Sequence, residues 1–215
     1  MATIYKLGSR GAGVKAVQKA LAGAGYRVIA DGIFGEVTEE AVKRFQKSKG
    51  LCPDGIVGPA TLAYLLPSAA KGALGLKRSK RTIREIIVHC TATPEQLDCT
   101  VDDIRRWHKA RGFSDIGYHY VIYLDGTIHT GRDIDIIGAH CTGHNAFSVG
   151  VVYVGGVARD GKTPKDTRND LQKASLLRLL KELKSLYPNA VIYSHRDFAN
   201  KACPSFDATK EYRTL

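Results

Sequence analysis

Val191-Ile192-Tyr193-Ser194-His195-Arg196-Asp197-Phe198-Ala199-Asn200-Lys201-Ala202-Cys203-Pro204-Ser205 is the stretch around which the chain is organised. Val191-Ile192-Tyr193 reads as a short buried strand, and the loop after it carries a histidine, a lysine and a cysteine within nine residues. Upstream, a helix is expected from about Asp170 to Tyr187. Leu176, Leu179, Leu180, Leu183 and Tyr187 recur at helical spacing, Lys173, Arg178, Lys181 and Lys184 occupy the other face, and Pro188 halts it. A helix feeding a strand that ends in reactive side chains is the unit of an α/β domain.

Working outward, the same pattern extends back to Thr82. Ile86-Ile87-Val88 is a buried-strand signal ending at His89, and Gly117 to Leu124 is rich in aromatic and β-branched residues. Asp125-Gly126 is a hairpin turn into Thr127-Ile128-His129-Thr130, and Val149 to Val154 supplies another strand. Thr100 can cap a helix with Asp103 in its first turn, burying Val101, Ile104 and Trp107 and stopping at Gly112. Strands separated by helices, with one hairpin, predict an α/β fold with a mixed β-sheet flanked by helices over residues 82–215.

Residues 1–66 read differently. Asp31-Gly32-Ile33-Phe34-Gly35-Glu36-Val37-Thr38 recurs as Asp54-Gly55-Ile56-Val57-Gly58-Pro59-Ala60-Thr61. Each copy is a Gly-rich turn feeding a helix, the first capped by Thr38 with Ala41, Val42 and Phe45 inward and Gly50 at its end, the second opened by Pro59 with Leu62, Leu65 and Leu66 inward. Val14, Val17, Gln18, Leu21 and Ala24 mark a helix before them, so a small three-helix domain is expected. Residues 67–81 are small, Gly-containing and increasingly basic, and read as a linker.

The formal charge of +11 predicts attraction to polyanions: nucleic acid, acidic lipid or an anionic cell wall. No apolar run approaches the ~20 residues that span a bilayer, so no membrane insertion is expected. The start of the chain offers no secretory leader, which predicts synthesis in the cytoplasm. Five cysteines without a CxxC pair read as reduced thiols, leaving a thiolate available as a ligand.

Catalytic zinc sites use three protein ligands and leave one position open. The candidates are seven histidines and five cysteines. His89 and Cys90 are neighbours at a strand end and point to opposite faces, so one of them must be discarded; the same alternation separates Tyr118 from His119. His108 and His129 read as packing or surface histidines.

Two resemblances extend this reading. Leu7-Gly8-x-x-Gly11, Val14-x-x-Val17-Gln18-x-x-Leu21, Gly25-Tyr26, Asp31-Gly32-x-Phe34-Gly35-x-x-Thr38-x-x-Ala41-Val42-x-x-Phe45-Gln46 and Asp54-Gly55-x-Val57-Gly58-x-x-Thr61 resemble the peptidoglycan-binding domain found beside many wall hydrolases. Ile87-Val88-His89-Cys90-Thr91-Ala92-Thr93, Gly117-Tyr118-His119-Tyr120, Gly131-Arg132, Gly138-Ala139-His140, Gly143-His144-Asn145, Ser148-Val149-Gly150-Val151 and His195-x5-Lys201-Ala202-Cys203-Pro204-Ser205-Phe206-Asp207 resemble the zinc-dependent N-acetylmuramoyl-L-alanine amidases, a group that includes the peptidoglycan recognition proteins.

The second resemblance implies that His89, His195 and Cys203 hold Zn2+ and that Tyr118 and Lys201 assist catalysis. It implies hydrolysis of the amide between N-acetylmuramic acid and L-alanine of the stem peptide by a zinc-activated water. Because that substrate lies outside the cytoplasm and no secretory leader is read, a phage or prophage lysin released through a membrane lesion made by another protein is expected. The expected partner is peptidoglycan, bound by a monomer with no specific nucleic acid. A non-catalytic recognition protein is the alternative, and such members are expected to lack the cysteine ligand. A phenol with a pKa near 10 is a poor base at neutral pH, so Tyr118 reads as a hydrogen-bond donor. His140, His144, Asn145 and Trp107 are candidates for the substrate groove, while Cys52, Cys90, Cys99 and Cys141 read as incidental or packing thiols.

Overall fold

A computed structural model describes residues 4–65 and 74–215. The first segment forms α1 (Ala12–Gly23), α2 (Glu36–Ser48) and α3 (Pro59–Leu65) around Val14, Val17, Leu21, Phe34, Val42 and Phe45. The sequence repeat has a structural counterpart. Buried Gln18 accepts from Gly32 N–H and donates to Asp31, to the Ile33 carbonyl and to Thr38 Oγ1. Gln46 does the same for Gly55, Asp54, Ile56 and Thr61. Each glutamine staples one Asp-Gly-Ile turn, whose glycine sits at positive φ (80° for Gly32, 74° for Gly55), where a Cβ would be strained.

This arrangement corrects the expected cap. Thr38 does not start α2; Gly35 precedes it, and Thr38 is drawn inward by Gln18. Ala24 is exposed just past the end of α1. Leu66 lies outside the described residues.

The larger domain contains β1 (Glu85–Cys90), β2 (Thr93–Pro94), α4 (Val101–Ala110), β3 (Tyr120–Ile122), β4 (Ile128–Thr130), β5 (Ser148–Tyr153), β6 (Gly156–Val157), α5 (Asp170–Leu186), β7 (Val191–Ser194) and α6 (Ala208–Glu211). Its main sheet has the order β4-β3-β5-β1-β7, with β1, β3, β5 and β7 parallel and β4 antiparallel at the edge. The mixed sheet flanked by helices is the architecture expected from the sequence.

Strand alternation divides the sheet into two faces. Ile86, Val88, Cys90, Val149, Val151 and Tyr153 meet Leu176, Leu179, Leu180 and Leu183 of α5. Burying each of those leucines contributes roughly 1.5–3 kcal/mol. The opposite face carries Val121, Val152 and Val154 against Ile104 of α4 and Ile116. His89, one residue from Val88 and Cys90, belongs to this second face.

Two expectations are corrected here. Trp107 is not buried by α4 but 38% exposed; Ile104 and His108, four residues apart, face inward instead. The strand predicted over 117–124 is confined to Tyr120–Ile122, and Tyr118 and His119 lie in the segment before it. The predicted caps of α4 are present: Thr100 and Asp103 form a reciprocal capping box. Asn169 and Gln172 do the same for α5.

Of the linker expected at 67–81, residues 67–73 lie outside the described residues. From Leu74 onward the chain lies against the larger domain. Leu74 and Leu76 pack on its core, and Ser79 N–H donates to Tyr187 Oη at 2.6 Å. The Arg81 guanidinium donates to the carbonyls of Ile134, Asn145, Ala146 and Ser148. The two domains also touch: Leu171 of α5 packs into the three-helix core, and Lys19 pairs with Asp125 at 3.6 Å.

Candidate metal centre

The parallel register of β1 and β7 sets Val88 beside Ser194, so the residues that follow, His89 and His195, emerge side by side at the same sheet edge. Their ring centroids are 4.5 Å apart. Beyond His195 the chain makes a 3-10 turn and loops back. Arg196 N–H donates to the Cys203 carbonyl at 2.8 Å, closing the loop. Tyr153 Oη holds the Pro204 carbonyl at 2.7 Å and Ser205 Oγ holds that of Gly156 at 2.7 Å. The Cys203–Pro204 peptide bond is cis.

These constraints bring the ligand atoms of His89, His195 and Cys203 within 4.8 Å of one another. Cys203 Sγ lies 3.9 Å from His89 Nδ1. A tetrahedral zinc with ordinary bond lengths separates a sulfur from a nitrogen ligand by roughly 3.5 Å, so the Cys203–His89 pair lies close to the spacing that such an ion sets. Two imidazoles and one thiolate are also the borderline-soft donor set that such a metal takes, with one position left open.

The electrostatics keep the imidazoles available as neutral ligands. Burial, reinforced by His140, His195 and Lys201, holds His89 well below the usual imidazole range. Burial and then Lys201 lower His195. The neighbouring Cys90 thiol and burial push the Cys203 thiol up; a divalent cation reverses this, because a coordinating thiol is deprotonated outright. Cys90 itself turns its side chain to the α5 face and contributes its backbone N–H, which donates to Cys203 Sγ at 3.3 Å.

The site opens into a cavity of about 270 Å3 whose walls include Phe113, Thr142, Asn145, His195, Phe198 and Lys201. Lys201 is exposed and reaches this cavity from the loop between the two C-terminal ligands. The half-buried Tyr118 ring lies 5.1 Å from that of His89. Burial, together with the Cys203 and Cys90 thiols, pushes its phenol further above the ordinary tyrosine value, so it stays protonated.

The other candidate groove residues separate. His140 and Asn145 line the cavity, but Asn145 Oδ1 is taken by the backbone N–H groups of His140 and Cys141 at 2.8 and 2.9 Å. His144 pairs with Glu85 at 2.8 Å and lies against Phe198, and Trp107 is not among the cavity residues. His119 is buried on the other side of His140, accepting from Gly150 N–H at 2.9 Å. His108 is buried and accepts from Gly117 N–H at 2.9 Å, while His129 stacks on Tyr123. Cys90, Cys99 and Cys141 are buried and Cys52 is exposed.

Sequence reasoning missed the direct contact between His140 Nδ1 and His89 Nε2, at 3.0 Å. The Gly138-Ala139-His140 and Ser148-Val149-Gly150 motifs are visible in the sequence, but nothing in their spacing says that they meet around the His140 ring, which in turn touches His89.

Both domains are similar to known proteins. Residues 10–65 match a family model described as a peptidoglycan binding domain, and residues 79–206 match that of N-acetylmuramoyl-L-alanine amidase. The chain is 45% identical over 130 residues to an endolysin of Enterobacteria phage K11, covering 60% of this chain and 85% of that one. It is 48% identical over 123 residues to an endolysin of Klebsiella phage KP32, covering 57% and 81%. Among solved structures, the N-acetylmuramoyl-L-alanine amidase LysC of Clostridium intestinale aligns with a TM-score of 0.53 at 29% identity, over 66% of this chain and 88% of that one. With its larger domain matched almost throughout, the chain belongs to the N-acetylmuramoyl-L-alanine amidase family and carries an N-terminal domain of the peptidoglycan-binding type.

Proposed function

We propose that this protein is a zinc-dependent peptidoglycan hydrolase that cleaves the amide between the lactyl group of N-acetylmuramic acid and L-alanine, with His89, His195 and Cys203 as the metal ligands. The convergence of their ligand atoms within 4.8 Å, with His195 lining a cavity, carries the reading. Zinc held by two imidazoles and one thiolate supplies a Lewis acid and lowers the pKa of water toward neutrality.

The residues around the ion then have distinct tasks. Lys201 presents its ammonium to the oxygen of the scissile carbonyl, which becomes negative as the carbon turns tetrahedral. Tyr118, held protonated, donates a hydrogen bond into the same space rather than abstracting a proton. Phe113 and Phe198 give the cavity apolar walls.

Residues 1–66 act as the wall-binding domain and 82–215 as the amidase domain, joined through residues 67–81, of which the part from Leu74 onward is bound to the amidase domain. Tethering raises the enzyme's local concentration on its polymeric substrate. The surplus positive charge suits an anionic envelope rather than a specific nucleic acid, and the protein acts as a monomer. Among the described residues no helix is long and apolar enough to cross a membrane. The site of action is the wall, as for the endolysin relatives; this protein reaches it through a lesion made by another protein.

A binder that does not cut is the competing reading, and the presence of Cys203 argues against it. Zinc content and the release of new L-alanine amino termini from purified wall decide between them. One zinc per chain with new amino termini is the expected result; one zinc per chain with no release sinks the hydrolase.

A further inference from the structure

We propose that His140 is a positioning residue for the metal ligand His89: it selects the tautomer and ring orientation of His89 without touching the metal. The inference rests on the reading of His89 as a ligand.

His89 is fully buried, and its two ring nitrogens face different partners. Nδ1 points toward Cys203 Sγ at 3.9 Å, and Nε2 meets His140 Nδ1 at 3.0 Å. An imidazole that ligates through Nδ1 carries its proton on Nε2. That proton is donated to His140 Nδ1, which must therefore be unprotonated. His140 then carries its own proton on Nε2, and Nε2 faces the buried Ser148 Oγ at 3.3 Å. The proton positions are thus dictated in sequence, from the metal outward through His89 and His140 to Ser148.

The chain is shaped to keep the His140 ring where it is. A Cβ on Gly150 would come within 2.5 Å of that ring, and one on Gly138 within 2.6 Å. Gly150 lies in β5 on the same face of the sheet as His89, so the missing side chain opens the space that the ring fills. On the backbone side, Asn145 Oδ1 clamps the N–H groups of His140 and Cys141. With both nitrogens engaged, His140 is no fourth ligand, and its Nδ1 is directed at His89 instead.

Ligating histidines are generally oriented by an acceptor on their second nitrogen, and loss of that acceptor costs roughly 10–100-fold in metal affinity. A neutral imidazole is a weaker acceptor than a carboxylate. It orients the ligand while adding no negative charge, which preserves the electrophilicity of the site.

The test is made on the full chain. Long-range nitrogen–proton NMR of the zinc-loaded wild type is expected to show His89 and His140 both protonated on Nε2, with the His89 proton shifted downfield and slow to exchange. In competition with a chromophoric chelator, His140→Leu is expected to bind zinc roughly 10–100-fold more weakly. His140→Asn, whose Oδ1 falls near the position of Nδ1, is expected to recover most of that loss. Ser148→Ala, one link further out, is expected to lose less than His140→Leu. A His89 protonated on Nδ1, or wild-type zinc affinity in a folded His140→Leu, overturns the proposal. Should His140→Leu fail to fold, the tautomers of the wild type decide it. A wild type that takes up no zinc overturns the metal reading itself, and this inference with it.

Discussion

The backbone N–H of Cys90 donates to Sγ of Cys203 at 3.3 Å, joining residues 113 apart in the chain. Its physical effect is to place a fixed dipole on the sulfur that must carry negative charge when a cation binds. The Cys90 side chain lies on the other face of the strand, in the core cluster that includes the α5 leucines, with its Sγ 3.8 Å from Ser205 Oγ. The adjacent pair His89-Cys90 thus serves the site twice, from both faces of one strand.

Cys203→Ser replaces a soft thiolate by a hydroxyl of much higher pKa. It is expected to abolish stoichiometric zinc binding and amide hydrolysis while leaving wall binding by the N-terminal domain in place. Metal analysis, the amino-terminus assay and a wall pull-down on the same sample check all three. Retained zinc at wild-type affinity would remove Cys203 from the ligand set.

Lys201→Ala leaves the three ligands untouched and is expected to lower kcat by about 10²–10³, the usual effect of deleting one donor to an oxyanion. Tyr118→Phe should also lower kcat, with zinc content unchanged in both variants. Steady-state kinetics on soluble wall fragments, paired with metal analysis, separates this outcome from loss of the ion. A change in KM alone would assign these residues to substrate binding.

His108 supplies a pH dependence away from the metal. Burial, with Arg111 and Arg132 nearby, lowers its pKa to about 4. Above pH 6.5 it is neutral both folded and unfolded. Between pH 6.5 and about 4 the unfolded chain takes up a proton that the folded one refuses, so stability is lost as pH falls through that window. The contribution is on the order of 3 kcal/mol at most. His108→Asn is expected to show a shallower loss of stability than wild type in urea unfolding from pH 7 to pH 4. Parallel curves for the two proteins would contradict the assignment.

Gln46→Leu strips the second Asp-Gly-Ile turn of its staple and leaves the buried Gly55 N–H without its acceptor. The expected cost is about 2–3 kcal/mol, confined to the N-terminal domain. The single tryptophan, Trp107, lies in the amidase domain, so its fluorescence reports on that domain alone. Part of the far-ultraviolet circular dichroism transition should move to lower temperature while the fluorescence transition stays. A shift of both together would mean that the domains unfold as one unit.

Much of the fold was legible because the signals are local. The leucine stripe of α5, the Thr100–Asp103 box and the Asp125-Gly126 turn each depend on residues within a turn or two of each other. Where reading failed, the deciding partner was distant in sequence. Trp107 and His108 are adjacent on α4, and a rotation of one residue about the helix decides which of them faces the sheet. Thr38 satisfies the chemistry of a cap, but Gln18, twenty residues earlier, claims its hydroxyl. The basic stretch before Thr82 read as solvated connector, yet Arg81 spends its donors on carbonyls 53 to 67 residues away.

By itself the sequence determined the kinds of atom available to the site, two imidazoles, a thiolate, an ammonium and a phenol, because those are properties of side chains in a recognisable order. Only the tertiary structure decided that His89 is held by His140, 51 residues away, and that Cys203 is met by the Cys90 backbone. The reason is physical: hydrogen bonds act over about 3 Å, and which groups come that close depends on strand register and on where glycine leaves room, not on distance along the chain.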